Sequence, residues 1–173
     1  MRRLLLSWGI LGVVLLLVSA LYRLAPIAWV PIRDGTLTTF HWVIIAIWTV
    51  ISAHAEGYKG FQKKFSPRTV ARAVYLGNHP TPLRAVLAPL FCMGFFDATK
   101  RVLITAWAVT IGVIILVIII KTLDQPWRGI IDIGVVVGLG WGLTSLLVFF
   151  FGALFGRPPA YDPGIPGHVE STP

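Results

Sequence analysis

The sequence predicts an all-α, polytopic integral membrane protein with four transmembrane helices and a basic amphipathic segment between the second and third. Three observations carry that expectation. Only 13% of the 173 residues are charged and 56% are hydrophobic, against about 25% charged in a soluble domain; mean hydropathy is +0.80. The apolar residues come in uninterrupted runs, not at amphipathic spacing, and runs of about 18 or more read as membrane spans. The cations lie between those runs. The net charge of +8 therefore points to bilayer orientation and anionic lipid, and not to nucleic acid.

The first span is expected over residues 4–22, with Arg2 and Arg3 before it and Arg23 after it. A cleaved signal peptide competes, since Val18-Ser19-Ala20 offers small residues for cleavage. The apolar run is longer than the usual signal core, and Arg23 closes it as an anchor does. Residues 24–37 read as a short outer loop, because Pro26, Pro31 and Asp34-Gly35 break helices. The second span is expected over 38–55, with His41 and His54 near its ends.

Residues 57–96 form the expected interfacial segment. Ser66-Pro67 has the form of a helix start, Ser as N-cap and Pro at the first position. Gly77 and Pro80 give a stop. Between them Val70, Ala73, Val74 and Gly77 make one apolar stripe, and Arg68 and Arg72 share another face. Residues 81–96 are too short to span and suggest a second interfacial or shallowly dipping helix. Asp97 is the expected N-cap of span three, residues 102–120. Span four is expected over 130–156. Its Gly134, Gly138 and Gly142 form a helix-contact face, for this chain's own bundle or for a homo-oligomer or larger membrane complex. Residues 157–173, with five prolines and no apolar pattern, are expected to be a disordered tail.

Orientation follows from counting cations. Eight lie in residues 57–101, and Arg2, Arg3 and Arg157 join them on one side. Only Arg23, Arg33, Lys121 and Arg128 lie on the other. The positive-inside rule puts both termini and the basic segment in the cytoplasm, with the protein in the inner membrane.

Candidate chemistry is sparse. The single cysteine, Cys92, excludes an intrachain disulfide, and no zinc or iron–sulfur spacing exists. Heme through His41 and His54 is disfavoured. Thirteen residues apart on one helix, they point to different faces and lie about 20 Å apart along the axis. No metal or other cofactor is expected. His54 and Glu56, beside cations, are the only pair suited to acid–base work on a lipid headgroup. Asp132 reads as half of an i, i+4 ion pair with Arg128. The strongest expectation is a phosphate or lipid-headgroup site built from Lys59, Lys63, Lys64, Ser66, Arg68 and Arg72, using the free amides after Ser66 as an anion-binding helix N-terminus. The function class expected is a non-enzymatic membrane protein that binds anionic lipid or serves as an accessory or scaffold subunit. The alternatives are an oligomeric translocator of small molecules or lipid and a headgroup-active enzyme.

Overall fold

The computed structural model describes residues 2–167. All regular structure among them is helical. Three helices are long and apolar enough to cross a membrane: α1 (Arg2–Arg33), α6 (Lys100–Lys121) and α7 (Trp127–Leu154). The outer ends of the apolar runs differ from expectation. Helix α1 does not stop at Tyr22 but runs through Pro26 and Pro31 to Arg33. Each proline removes one backbone donor, which an apolar helix tolerates where packing compensates. Pro31 is buried on Gly129 of α7, so close that a Cβ there would lie 2.5 Å from the ring.

Helix α2 (Thr39–Ser52) starts at Thr38 in a capping arrangement with His41. The helical path does not end at residue 55, the expected close of the second span. It continues as a π-helical segment, Ala53–Phe65, and then as α3 (Ser66–Asn78), with no break between them. Ser66 has helical φ and ψ of −61° and −49°, and its N–H donates to the Phe61 carbonyl. The expected helix start at Ser66-Pro67 is therefore overturned. The wider i→i+5 winding ahead of Pro67 provides a turn in which the proline needs no ordinary α-helical bond.

Helix α3 has the expected extent but a different setting. Val70, Ala73 and Leu76 are fully buried with Leu6, Ile10, Val13 and Leu17 of α1 and with Ala88, Phe91 and Cys92. The last three belong to α5 (Ala88–Met93), which follows α4 (Pro82–Val86). The expected interfacial helix over 81–96 is thus two short ones. Gly9 and Gly12 of α1 let α5 come close, facing Cys92 and Pro89. Asp97 is not a cap: Thr99 takes that position, while Asp97 adopts φ +49° and pairs with Arg84.

The contacts order the elements. Pro31 meets Gly129 at one end of α7, and Arg2 meets Gly77 at the far end of α3. Helix α1 is therefore antiparallel to both the continuous α2–π–α3 rod and α7, which run parallel to each other. Residues 163–165, expected to be disordered, are held to the fold. The Gly164 carbonyl accepts from Thr99 N–H at 2.8 Å, and Ile165 is buried. Residues 168–173 of the expected tail lie outside the described residues.

Candidate functional site

The face of α7 that carries Gly134, Gly138 and Gly142 meets the α2–π–α3 rod along its length. A Cβ on Gly134 would lie 2.2 Å from Trp48 Nε1 and 2.6 Å from Ser52 Oγ. On Gly138 it would lie 2.7 Å from a Glu56 carboxylate oxygen, and on Gly142 2.5 Å from the Phe61 ring. These glycines do form a helix contact, but its partner is in the same chain. Gly57 extends the close approach from the other side, with Trp141 lying directly over it.

The polar groups of the interface form a row. Trp48 Nε1 donates to the Ile131 carbonyl at 3.2 Å. Ser52 is buried, with a hydroxyl that has no partner. Trp141 Nε1 donates to Gln62 Oε1 at 2.7 Å. The buried Ser66 and Ser145 hydroxyls bond at 2.7 Å, and Ser145 also donates to the Gly142 carbonyl at 2.9 Å. The π winding keeps this row straight. Ser52, Glu56, Phe61 and Ser66 follow at steps of four, five and five, so each faces α7 where an α-helix would drift away.

Beside the row, Gln62, Val137, Trp141, Thr144, Ser145, Val148 and Phe149 line a cavity of about 520 Å³. Lys59, Lys63 and Lys64 are exposed on the same π segment. The Lys63 ammonium lies 4.8 Å from the centre of the Tyr58 ring, a cation–π contact. Arg68 is half-buried, and burial lowers its pKa from the ordinary value.

Arg72, expected to share an exposed face with Arg68, is wholly buried. Its guanidinium donates to five carbonyls: Phe91 at 2.6 Å, Pro163 at 2.9 Å, Gly164 at 3.4 Å, Phe96 at 3.0 Å and Asp97 at 3.1 Å. It also stacks 4.2 Å from the centre of the Phe91 ring. Burial lowers its pKa to about 10, so it stays charged at neutral pH. A planar fork with five donors can satisfy that many carbonyls from one residue; an ammonium cannot. Arg72 thus pins α5, the 94–99 loop and residues 163–165 to α3, and it has no donor left for a headgroup. Nor are there free amides after Ser66. The expected site loses Ser66 and Arg72 and keeps the lysines and Arg68.

The remaining candidates separate. His54 stacks on Tyr58, with centroids 5.8 Å apart, on an exposed part of the segment, whereas Glu56 faces Gly138. The structure does not bring the two together for acid–base work. His41 Nδ1 accepts from Thr38 N–H at 3.1 Å, and its ring packs edge-on to Trp127. No group of three or more metal-ligating side chains occurs among the described residues. No ion pair joins Arg128 to the buried Asp132 there; the described pairs are Arg33–Asp34 and Arg84–Asp97. Cys92 is buried, and its thiol is pushed up to about 12 by that burial, so it packs and does not react. No family model, curated protein or solved structure matches the chain, so the site is read from its own geometry.

Proposed function

We propose that this protein is a four-span inner-membrane protein that binds anionic phospholipid in the cytoplasmic leaflet and serves as a non-enzymatic scaffold or accessory subunit. In this reading α2 and the first turns of the π segment make the fourth crossing. They lie parallel to α7 from Trp48 to Ser66, so they share its depth. Both termini then lie in the cytoplasm, as the cation count requires.

The observation that carries the lipid reading is the cavity against α7. Val137, Val148 and Phe149 offer an apolar wall for an acyl chain, and Gln62, Trp141 and Thr144 offer polar groups for the ester region. Lys59 and Lys63, exposed, lie within one turn of Gln62, where each cation near an anionic surface contributes about 1 kcal/mol. The test is native mass spectrometry of the protein released from nanodiscs containing phosphatidylglycerol and phosphatidylcholine in equal amounts. Retained phosphatidylglycerol is expected. It should fall at least tenfold in a Lys59→Gln/Lys63→Gln/Lys64→Gln variant and again when Val148→Trp fills the cavity. Equal retention of both lipids by the native protein refutes the reading.

A further inference from the structure

Glu56 is the one carboxylate that the α2–π–α3 rod presents to α7, and the lipid site does not use it. Its carboxylate lies against Gly138, one turn of α7 before the Gln62–Trp141 bond. Among the described residues it makes no hydrogen bond and no ion pair. One turn earlier on the same face is Ser52, 1% exposed, with its hydroxyl unpartnered and directed at Gly134. An ionisable side chain inside a membrane bundle is costly and normally has a counter-charge.

No such charge faces Glu56. On its own segment His54 stacks on Tyr58, Lys59 is exposed, and the Lys63 ammonium lies over the Tyr58 ring. Helix α7 presents Gly138; its ionisable residues Arg128 and Asp132 lie more than a turn away toward the other end. The α2 portion of the rod carries His41 alone, near its start. On α3, Arg68 lies beyond Ser66, and Arg72 is committed to carbonyls. Lys59, three residues on, is the nearest cation in sequence, and it makes no ion pair with Glu56 among the described residues.

We propose that Glu56, one turn from the unpartnered hydroxyl of Ser52, is a proton-binding site within the membrane. The carboxylate takes one proton from water and returns it. The cytoplasmic route runs past Gln62, Trp141 and the Ser66–Ser145 pair, whose side chains continue the row from Glu56 toward the basic end. The wider π winding puts the acid and this polar row on one face. The chemistry belongs to a site that couples proton occupancy to the packing of the rod on α7. Glycine at 138 leaves room for the carboxyl, since a Cβ there would lie 2.7 Å from its oxygen.

The test is modification of the full-length protein in nanodiscs by dicyclohexylcarbodiimide, whose C=N bond adds the O–H of a protonated carboxyl in an apolar setting. The site of addition is mapped by peptide mass spectrometry. Glu56 is expected to be labelled, with labelling falling about tenfold per pH unit on the alkaline side of its midpoint, unchanged when sodium replaces potassium. Glu56→Gln should abolish labelling at that position and retain phosphatidylglycerol, because Glu56 does not line the lipid cavity. The proposal rests on the four-span reading, which puts the rod in the bilayer, and not on lipid retention, so failure of the lipid test leaves this outcome unaffected. Absence of a Glu56 adduct from mildly acid to mildly alkaline pH overturns the proposal. So does protection by sodium at fixed pH, which makes the ligand a metal cation. Should Glu56→Gln fail to fold, the pH profile of the native protein decides alone.

Discussion

Helices α6 and α7 are neighbours in sequence and both apolar, yet they behave oppositely. The α6 window has the higher mean hydropathy, 2.9 against 2.1, and only 6% of it is buried, against 28% for α7. Helix α6 is Ile- and Val-rich, and a side chain on its one glycine, Gly112, would meet nothing within 4 Å. Helix α7 carries Gly134, Gly138 and Gly142, with Ser145 in line, and every one is covered by the α2–π–α3 rod. Within lipid, apolar surface gains nothing by leaving its surroundings. Helices associate where small residues permit close packing and polar groups can bond. The more hydrophobic helix is therefore the less buried one.

Arg72 is where that contrast breaks most severely. It anchors the base of α6 to the bundle, because its carbonyl partners include Phe96, Asp97 and Gly164, and Gly164 in turn accepts from Thr99 and packs on Val102. Arg72→Ala leaves a set of buried carbonyls unpaired, each costing about 1–3 kcal/mol. A loss of more than about 3 kcal/mol is expected, read as unfolding in mixed detergent, with freer proteolysis between residues 94 and 100. Arg72→Lys should recover little of it, since three rotatable donors do not match the fork. Raising pH from 6 to 8 should not reproduce the loss: with a folded-state pKa of about 10, Arg72 is charged in both folded and unfolded protein across that window.

The glycine comparison gives the next largest effect. Gly138→Leu puts a side chain onto Glu56, and Gly142→Leu puts one into Phe61; overpacking of this kind costs about 1–3 kcal/mol. Gly112→Leu on α6 should leave stability unchanged or raise it slightly through helix propensity. Equal losses in α6 and α7 would mean that α6 is packed as closely as α7, contrary to the contrast drawn above.

The same contrast explains what could be read from residue order. The apolar runs of α1, α6 and α7 were legible, as was the close-contact character of Gly134, Gly138 and Gly142, because both follow from composition and spacing. Their partner was not, since it depends on the rod staying helical through Ser66-Pro67. The rule that Ser-Pro starts a helix assumes solvent for the preceding carbonyls; the π segment provides a different winding. Pro26 and Pro31 misled for a related reason, because packing on Gly129 outweighed the local signal. Arg72 was legible as a cation and not as a clamp, for its partners come from stretches 19 to 92 residues distant. Of the candidate site, the lysines were visible, whereas the Gln62–Trp141 bond and the facing serines each join residues 79 apart in sequence.

The smallest expected effect sharpens the contrast most finely. Ser66 and Ser145 bond at 2.7 Å with both side chains buried, so each single alanine leaves a hydroxyl without its partner. Ser145 retains the Gly142 carbonyl as an alternative acceptor; Ser66 has no other bond among the described residues. Ser66→Ala and Ser145→Ala should therefore each cost about 1 kcal/mol. The double variant should fall short of their sum by about 0.6 kcal/mol, the usual coupling for an interhelical hydrogen bond in a membrane. A parallel cycle between Thr105 and Thr110 on α6 should show no coupling. Each of those hydroxyls donates to a carbonyl of its own helix one turn back, at 2.7 and 2.9 Å. Polar side chains on the bare helix thus satisfy themselves locally, and those on the covered helix do so across the interface.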